Sequence, residues 1–136
     1  LEFKTDLGDS MVLYSRSKPK QDRSDAEQAL MFPKVDDVVR GERLFADPDI
    51  NLSRMARRLH MPARDVSKAI NQATELNVSQ YVNGLRIEEA CRVMQTTEIS
   101  ITEVVFQCGF NTKSNFNREF LRVKGVAPSV WRKEAA

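Results

Sequence analysis

An internal repeat constrains this chain more than any other feature. Leu52, Met55, Ala56, Leu59 and Met61 recur 49 positions later as Ile101, Val104, Val105, Cys108 and Phe110. One extra residue in between raises the offset to 50, and Val66, Ser67, Lys68 and Ile70 then match Phe116, Asn117, Arg118 and Phe120. An apolar pattern that returns at fixed spacing marks one supersecondary unit used twice. The i, i+3, i+4, i+7 spacing of the first segment of each copy predicts a short helix with one apolar face, followed by a tight turn and a second amphipathic helix.

The local punctuation agrees. Asn51 or Ser53 suits the cap of the first helix of copy one, and Ser100 with Glu103 three residues on forms a capping box for copy two. In the turn of copy two, Gly109 supplies a positive φ; His60 holds the equivalent place in copy one, and Pro62 fits the first turn of the helix after it. Between the copies, Ser79 is expected to cap a helix running to about Thr96, with Tyr81, Val82, Leu85, Ala90, Val93 and Met94 on its apolar side. Such a helix is a rigid spacer of roughly 25 Å. Gly125 ends the last long helix, and Pro128 starts a short one bearing Trp131.

Upstream, residues 1–34 read as a polar leader or linker, partly disordered, with a short apolar patch at Ala29-Leu30-Met31-Phe32 that ends at Pro33. Val35, Val38, Val39, Leu44 and Phe45 then follow a helical period until Asp47-Pro48-Asp49 stops it. The expected organisation is all-α: a first helix-turn-helix subdomain over residues 35–78, a linker helix over 79–96 and a second subdomain over 97–136. The chain opens on Leu1, so it is expected to be a fragment of a longer protein, with no secretory signal in what is present.

Composition narrows the function. Hydrophobic residues make up 41% and charged residues 29%, with five Gly and five Pro, which suits a helical protein. No apolar run approaches the roughly 20 residues that span a bilayer. Cys91 and Cys108 have no ligand spacing and are expected in the core, as are Tyr81, Phe106, Phe110 and Trp131; His60 has no nucleophile or metal partner. An enzyme, a cofactor and a metal are therefore not expected. Residues 1–50 carry 8 basic and 11 acidic side chains (net −3) and residues 51–136 carry 13 and 8 (net +5), so the repeat region is the part suited to a polyanion.

A helix, turn and helix of this kind presents its second helix to the major groove of double-stranded DNA. The outward residues there are Arg64, Ser67, Lys68 and Asn71 in copy one, and Lys113, Ser114, Asn117 and Arg118 in copy two. Arg and Lys suit guanine, and Asn suits adenine, so these eight are the candidate base readers. Arg54, Arg57 and Arg58 on the first helix, with Arg122 and Lys124 at the end of the last long one, are the candidate phosphate contacts. Two such helices on a rigid spacer would reach adjacent turns of one duplex and read an asymmetric site of roughly 20 base pairs. The alternative is a protein-interaction module that keeps the fold and acts on RNA polymerase or a partner regulator.

The string from Ser100-Ile101-Thr102-Glu103-Val104-Val105 through Cys108-Gly109-Phe110-Asn111 to Phe116-Asn117-Arg118-Glu119-Phe120, followed by Gly125-Val126-Ala127-Pro128-Ser129, resembles the C-terminal signature of the AraC/XylS family of bacterial transcription regulators. Residues 81–90 are similar to that family's linker helix, and the resemblance covers about residues 36–133. The first copy matches less closely: the family usually has an aromatic residue where Asp65 stands, Phe at Ile70 and Gly at Glu75. The resemblance implies seven helices, base reading at Arg64, Ser67, Lys68, Lys113, Ser114, Asn117 and Arg118, activation through contact with RNA polymerase, and a separate N-terminal sensing or dimerising domain. It also implies a cytoplasmic location. Val66-Ser67-Lys68-Ala69-Ile70-Asn71 with the preceding Asp47-Pro48 is similar to members whose N-terminal part is embedded in a membrane.

Overall fold

The computed structural model describes residues 25–136, so the leader expected over residues 1–34 lies outside the described residues as far as residue 24. Seven α-helices and one 3-10 turn follow, with no strand among the described residues. Helix α1 (Asp25–Gly41) leads to the 3-10 turn Leu44–Ala46; then come α2 (Leu52–Leu59), α3 (Ala63–Thr74), α4 (Val78–Thr96), α5 (Ile101–Gln107), α6 (Lys113–Lys124) and α7 (Pro128–Ala135). Side-chain caps explain several of the starts. Asn51 Oδ1 accepts from Arg54 N at 2.9 Å, Ser100 Oγ from Glu103 N at 3.1 Å and Thr112 Oγ1 from Asn115 N at 3.1 Å, each satisfying an orphan N–H of the first turn.

Three local expectations shift. Helix α1 runs through Pro33, so the boundary placed at residues 34 and 35 falls inside a helix. A Pro in a helix interior removes one backbone bond. Tertiary burial outweighs that loss, because Val35 and Val39 are fully buried and Phe32 packs edge-on against Tyr81 with ring centroids 5.7 Å apart. At α4 the cap is Asn77: its Oδ1 accepts from Gln80 N at 2.7 Å while the Gln80 side chain accepts from Asn77 N at 3.1 Å. Only that register places Gln three residues after a good cap, so Ser79 sits inside the first turn. Pro62 is the cap of α3, one position earlier than expected.

Two apolar cores result, and α4 belongs to both. Val35, Val39, Phe45, Met55, Ala56, Val66 and Ile70 bury against Tyr81, Val82 and Leu85 in the first half of α4. Val104, Val105, Cys108, Phe110, Phe116 and Phe120 bury against Ile87, Ala90, Cys91, Val93 and Met94 in its second half, with Trp131 alongside. The connecting helix is therefore half of each core rather than a bare spacer. Its 19 residues give a length of about 28 Å.

The repeat also runs further than the pattern suggested. The cap Ala127 of α7 lies 50 positions after the cap Asn77 of α4, and Trp131 then falls at the place of Tyr81, each ring edge-on to a Phe. Both cysteines are buried and unpaired, and burial pushes the Cys108 thiol up to about 12. Phe106, expected in the core, is 55% exposed. The apolar stripe Ile101, Val104, Val105 and Cys108 occupies one face of α5, and a residue two positions from Val104 points the opposite way.

Candidate nucleic-acid interface

Two turns set the angle between the paired helices, and they do so differently. After α2, His60 takes the left-handed conformation (φ 56°, ψ 41°) and Met61 N donates back to Ala56 O at 3.0 Å. After α5, Cys108 stays right-handed and Gly109 takes φ 104°, with Phe110 N donating to Val105 O at 3.2 Å. A histidine with positive φ is tolerated where a β-branched residue would not be. Both copies close the same backbone turn, six residues from donor to acceptor counted inclusively, and α3 and α6 leave it in equivalent places.

On α3 the inward face is Val66, Ala69 and Ile70. Arg64 and Asn71 are exposed and Ser67 and Lys68 half-buried, so the four expected base readers line one stripe at i, i+3, i+4, i+7. Asn71 is partly committed, since its Nδ2 donates to Leu76 O at 3.4 Å. On α6 the inward face is Phe116, Glu119 and Phe120, which leaves Lys113, Ser114, Asn117 and Arg118 exposed together. The Arg118 guanidinium, 73% exposed, is steered by a hydrogen bond to Asn115 Oδ1. Among the described residues no carboxylate pairs with Arg64, Lys68 or Lys113.

The five expected phosphate cations divide. Arg54 and Arg57 stand exposed on α2 with no carboxylate partner among the described residues. Arg58 pairs with Glu42 at 2.6 Å, and the Lys124 ammonium lies 5.9 Å from the centre of the Trp131 ring. Arg122 stays at the surface but is tied to a buried carboxylate: its Nε and Nη2 donate to Glu119 Oε1 at 3.1 and 2.8 Å, and Nη2 reaches Gln80 O at 3.4 Å. Burial pushes the Glu119 carboxyl up, but the bonds and charge of Arg122, with Asn83 and Arg118, outweigh it and hold the group below the usual carboxylate range. Residue-type reasoning missed Glu119. The available signal was a charged residue between Phe116 and Phe120 on an inward face, where the first copy has the buried Ala69.

Among the described residues no helix is long and apolar enough to cross a membrane, and no cluster of three or more His, Cys, Asp or Glu could hold a metal ion. The helix-turn-helix domain family matches residues 55–134, more than half of the chain. The HTH-type transcriptional activator RhaS of Pectobacterium carotovorum subsp. carotovorum (strain PC1) is 31% identical over 87 residues, 64% of this chain and 31% of the relative. The chain thus spans about a third of the length of the curated relative it matches. Two solved structures share the fold. A transcriptional regulator from Chromobacterium violaceum, described among AraC-type DNA-binding domain-containing proteins, superposes with a TM-score of 0.65 at 21% identity, covering 76% of this chain and 93% of that one. The DNA-binding domain of AdpA, a global transcriptional factor in complex with a target DNA, gives a TM-score of 0.65 at 22% identity, covering 75% and 91%.

Proposed function

Because the chain belongs to the AraC-type helix-turn-helix family, we propose that it is the sequence-specific DNA-binding domain of a transcription activator, a binding module rather than an enzyme, and that α3 and α6 enter successive major grooves of one duplex. One observation carries this reading above the rest. Both second helices present a polar stripe, exposed on α6 and exposed to half-buried on α3, with Arg64, Ser67 and Lys68 repeated as Ser114, Asn117 and Arg118, and Arg64, Lys68 and Lys113 in those stripes have no carboxylate partner among the described residues. Cations left unpaired on two equivalent helix faces suit base edges and phosphates more than they suit the fold. Arg54 and Arg57 on α2 stand where the first helix of such a unit crosses the backbone. On this reading Arg64, Ser67, Lys68, Asn71, Lys113, Ser114, Asn117 and Arg118 read bases, and the site is asymmetric, of roughly 20 base pairs.

Selection of randomised duplexes on the purified chain, followed by a salt titration of the best sequence against a scramble, tests it. The expected result is a motif with two half-sites about ten base pairs apart, bound more tightly than the scramble and with a steep salt slope. Absence of any enriched motif would overturn it. A second reading has an observation of its own: Phe106 is 55% exposed at the position of Arg57 in the repeat, and an apolar residue on that face suits contact with RNA polymerase or a partner regulator. A sensing or dimerising domain outside this chain belongs to the same proposal.

A further inference from the structure

The two units meet outside the helix they share. Arg86, midway along α4, is 8% exposed; its Nε donates to Phe45 O at 2.6 Å and its Nη2 to Asp47 O at 3.0 Å, both in the loop of the first unit. Its guanidinium lies 5.4 Å from the centre of the Phe110 ring, in the turn of the second unit. Its Nη1 donates to Asn83 Oδ1 at 3.1 Å, and Asn83 Nδ2 donates onward to Glu119 Oε1 at 3.3 Å. Glu119 is buried on α6 itself. A chain of buried hydrogen bonds therefore runs from two backbone carbonyls of the first unit to the second reading helix. The seam beside it is tight: Asn111 Nδ2 donates to Pro48 O at 3.3 Å, and a Cβ on Gly109 would stand 2.7 Å from Phe45 O.

Apolar side chains would fill this seam without burying a guanidinium and a carboxylate. A buried ionic group is weak evidence for stability, and its directional bonds select one arrangement over its neighbours. What is selected here is the placement of α6 relative to the first unit, hence relative to α3.

We propose that Arg86, Asn83 and Glu119 are positioning residues that fix the separation of α3 and α6 and so make the protein selective for one spacing between its two half-sites. The inference rests on the two-headed reading above. Each base pair inserted between half-sites moves one of them by about 3.4 Å along the axis and turns it by roughly 35°. A pose held by this chain of directional bonds resists that movement; a loosened one follows it.

The test uses the motif recovered by selection. Duplexes carrying it with one, two or three base pairs inserted between half-sites, and a duplex with a single half-site, are titrated by fluorescence anisotropy against wild type, Arg86→Met, Arg86→Lys and Asn83→Ala. Wild type is expected to lose about a hundredfold in affinity on insertion, because simultaneous engagement is lost. Arg86→Met and Asn83→Ala are expected to lose about tenfold or less while binding the single half-site as wild type does. Arg86→Lys, with a single ammonium in place of the fork, falls between them. A folded Asn83→Ala that keeps the full wild-type spacing penalty overturns the proposal, and it decides the matter if Arg86→Met does not fold. Wild type that tolerates every spacing overturns it too. If selection returns no bipartite motif, the two-headed reading and this inference fall together; a bipartite motif with unchanged spacing penalties removes the inference alone.

Discussion

Glu75 and Gly125 hold the same post in the two repeats. Each follows the last residue of the second helix of its unit, α3 or α6, in the left-handed conformation, with φ 62° and 80°, and each donates its N–H to the carbonyl four residues back, Asn71 O and Leu121 O, at 2.8 Å. A residue with a Cβ pays in strain for that conformation, by about 1–2 kcal/mol, and glycine does not. Part of the gain is returned because glycine gives the unfolded chain more freedom. Glu75→Gly should therefore raise stability by about 0.5–1 kcal/mol, a few degrees in Tm. Gly125→Ala, where a Cβ meets nothing within 4 Å, should lose about 1 kcal/mol from backbone strain alone. Thermal melts followed by circular dichroism check both, and a destabilised Glu75→Gly would mean that the Glu75 side chain contributes more than its backbone costs.

Gly109 makes the contrasting case. It also has positive φ, but a Cβ there would sit 2.7 Å from Phe45 O and 2.9 Å from two Ala46 backbone atoms, none of which is a flexible side-chain end. Strain and overpacking add, so Gly109→Ala should cost about 3 kcal/mol, well above Gly125→Ala. Urea denaturation of the two variants side by side gives the comparison; equal midpoints would show that the seam between the units yields easily.

Much of this fold was readable because the repeat and the caps are local or periodic signals. The helices around each turn, the Ser100 and Glu103 box and the buried face of α4 all follow from residues within a few positions of one another. Helix α1 was shortened because Pro33 is a local stop signal, while burial of Val35 and Val39 against α3 and α4 is a tertiary fact. The polar residues of α6 expected to face outward are exposed, whereas on α3 Ser67 and Lys68 are half-buried, and the five cations expected at phosphates were not separable by type: Arg122 is committed to a buried carboxylate and Arg57 is not. The chain from Arg86 to Glu119 was invisible as a unit because its partners lie 41 and 36 positions apart in sequence.

Acid should expose a second tie between α4 and the first unit. Glu89 takes hydrogen bonds from Arg92 Nε and Nη2 at 2.9 and 2.8 Å and from Arg43 Nη1 at 2.9 Å, and the Arg92 bonds above all hold its carboxyl down at about 2. A carboxyl lowered in the folded state contributes stability that is present above its unfolded value of about 4.3 and lost as pH falls through the folded one. Glu89→Gln should therefore cost about 1 kcal/mol at pH 7, after allowance for screening, and nearly nothing at pH 2. Denaturation midpoints at pH 7, 4 and 2 read the difference, which should shrink as the pH falls.

Base reading and phosphate contact predict different losses. Arg118→Ala on α6 should cost about 1–3 kcal/mol on the selected site and relax preference at one base pair, whereas Arg57→Ala on α2 should weaken all sequences alike and flatten the salt slope by about one. Anisotropy titrations on specific and random duplexes at several salt concentrations separate the two, and equal losses on both duplexes for Arg118→Ala would remove it from the base readers.

Phe106 offers the converse experiment, a gain. It stands at the position of Arg57 one repeat later, on the face of α5 opposite the buried Val104, Val105 and Cys108, and it is exposed. Exposed substitutions away from caps and cores usually move stability by no more than about 0.5 kcal/mol, so Phe106→Arg should fold as wild type does. If the repeat carries equivalent geometry to the backbone of a duplex, the new guanidinium should meet a phosphate, raising affinity for specific and random DNA alike and steepening the salt slope by about one. An unchanged slope would mean that this face of α5 stands clear of the duplex, which leaves it free for a protein contact.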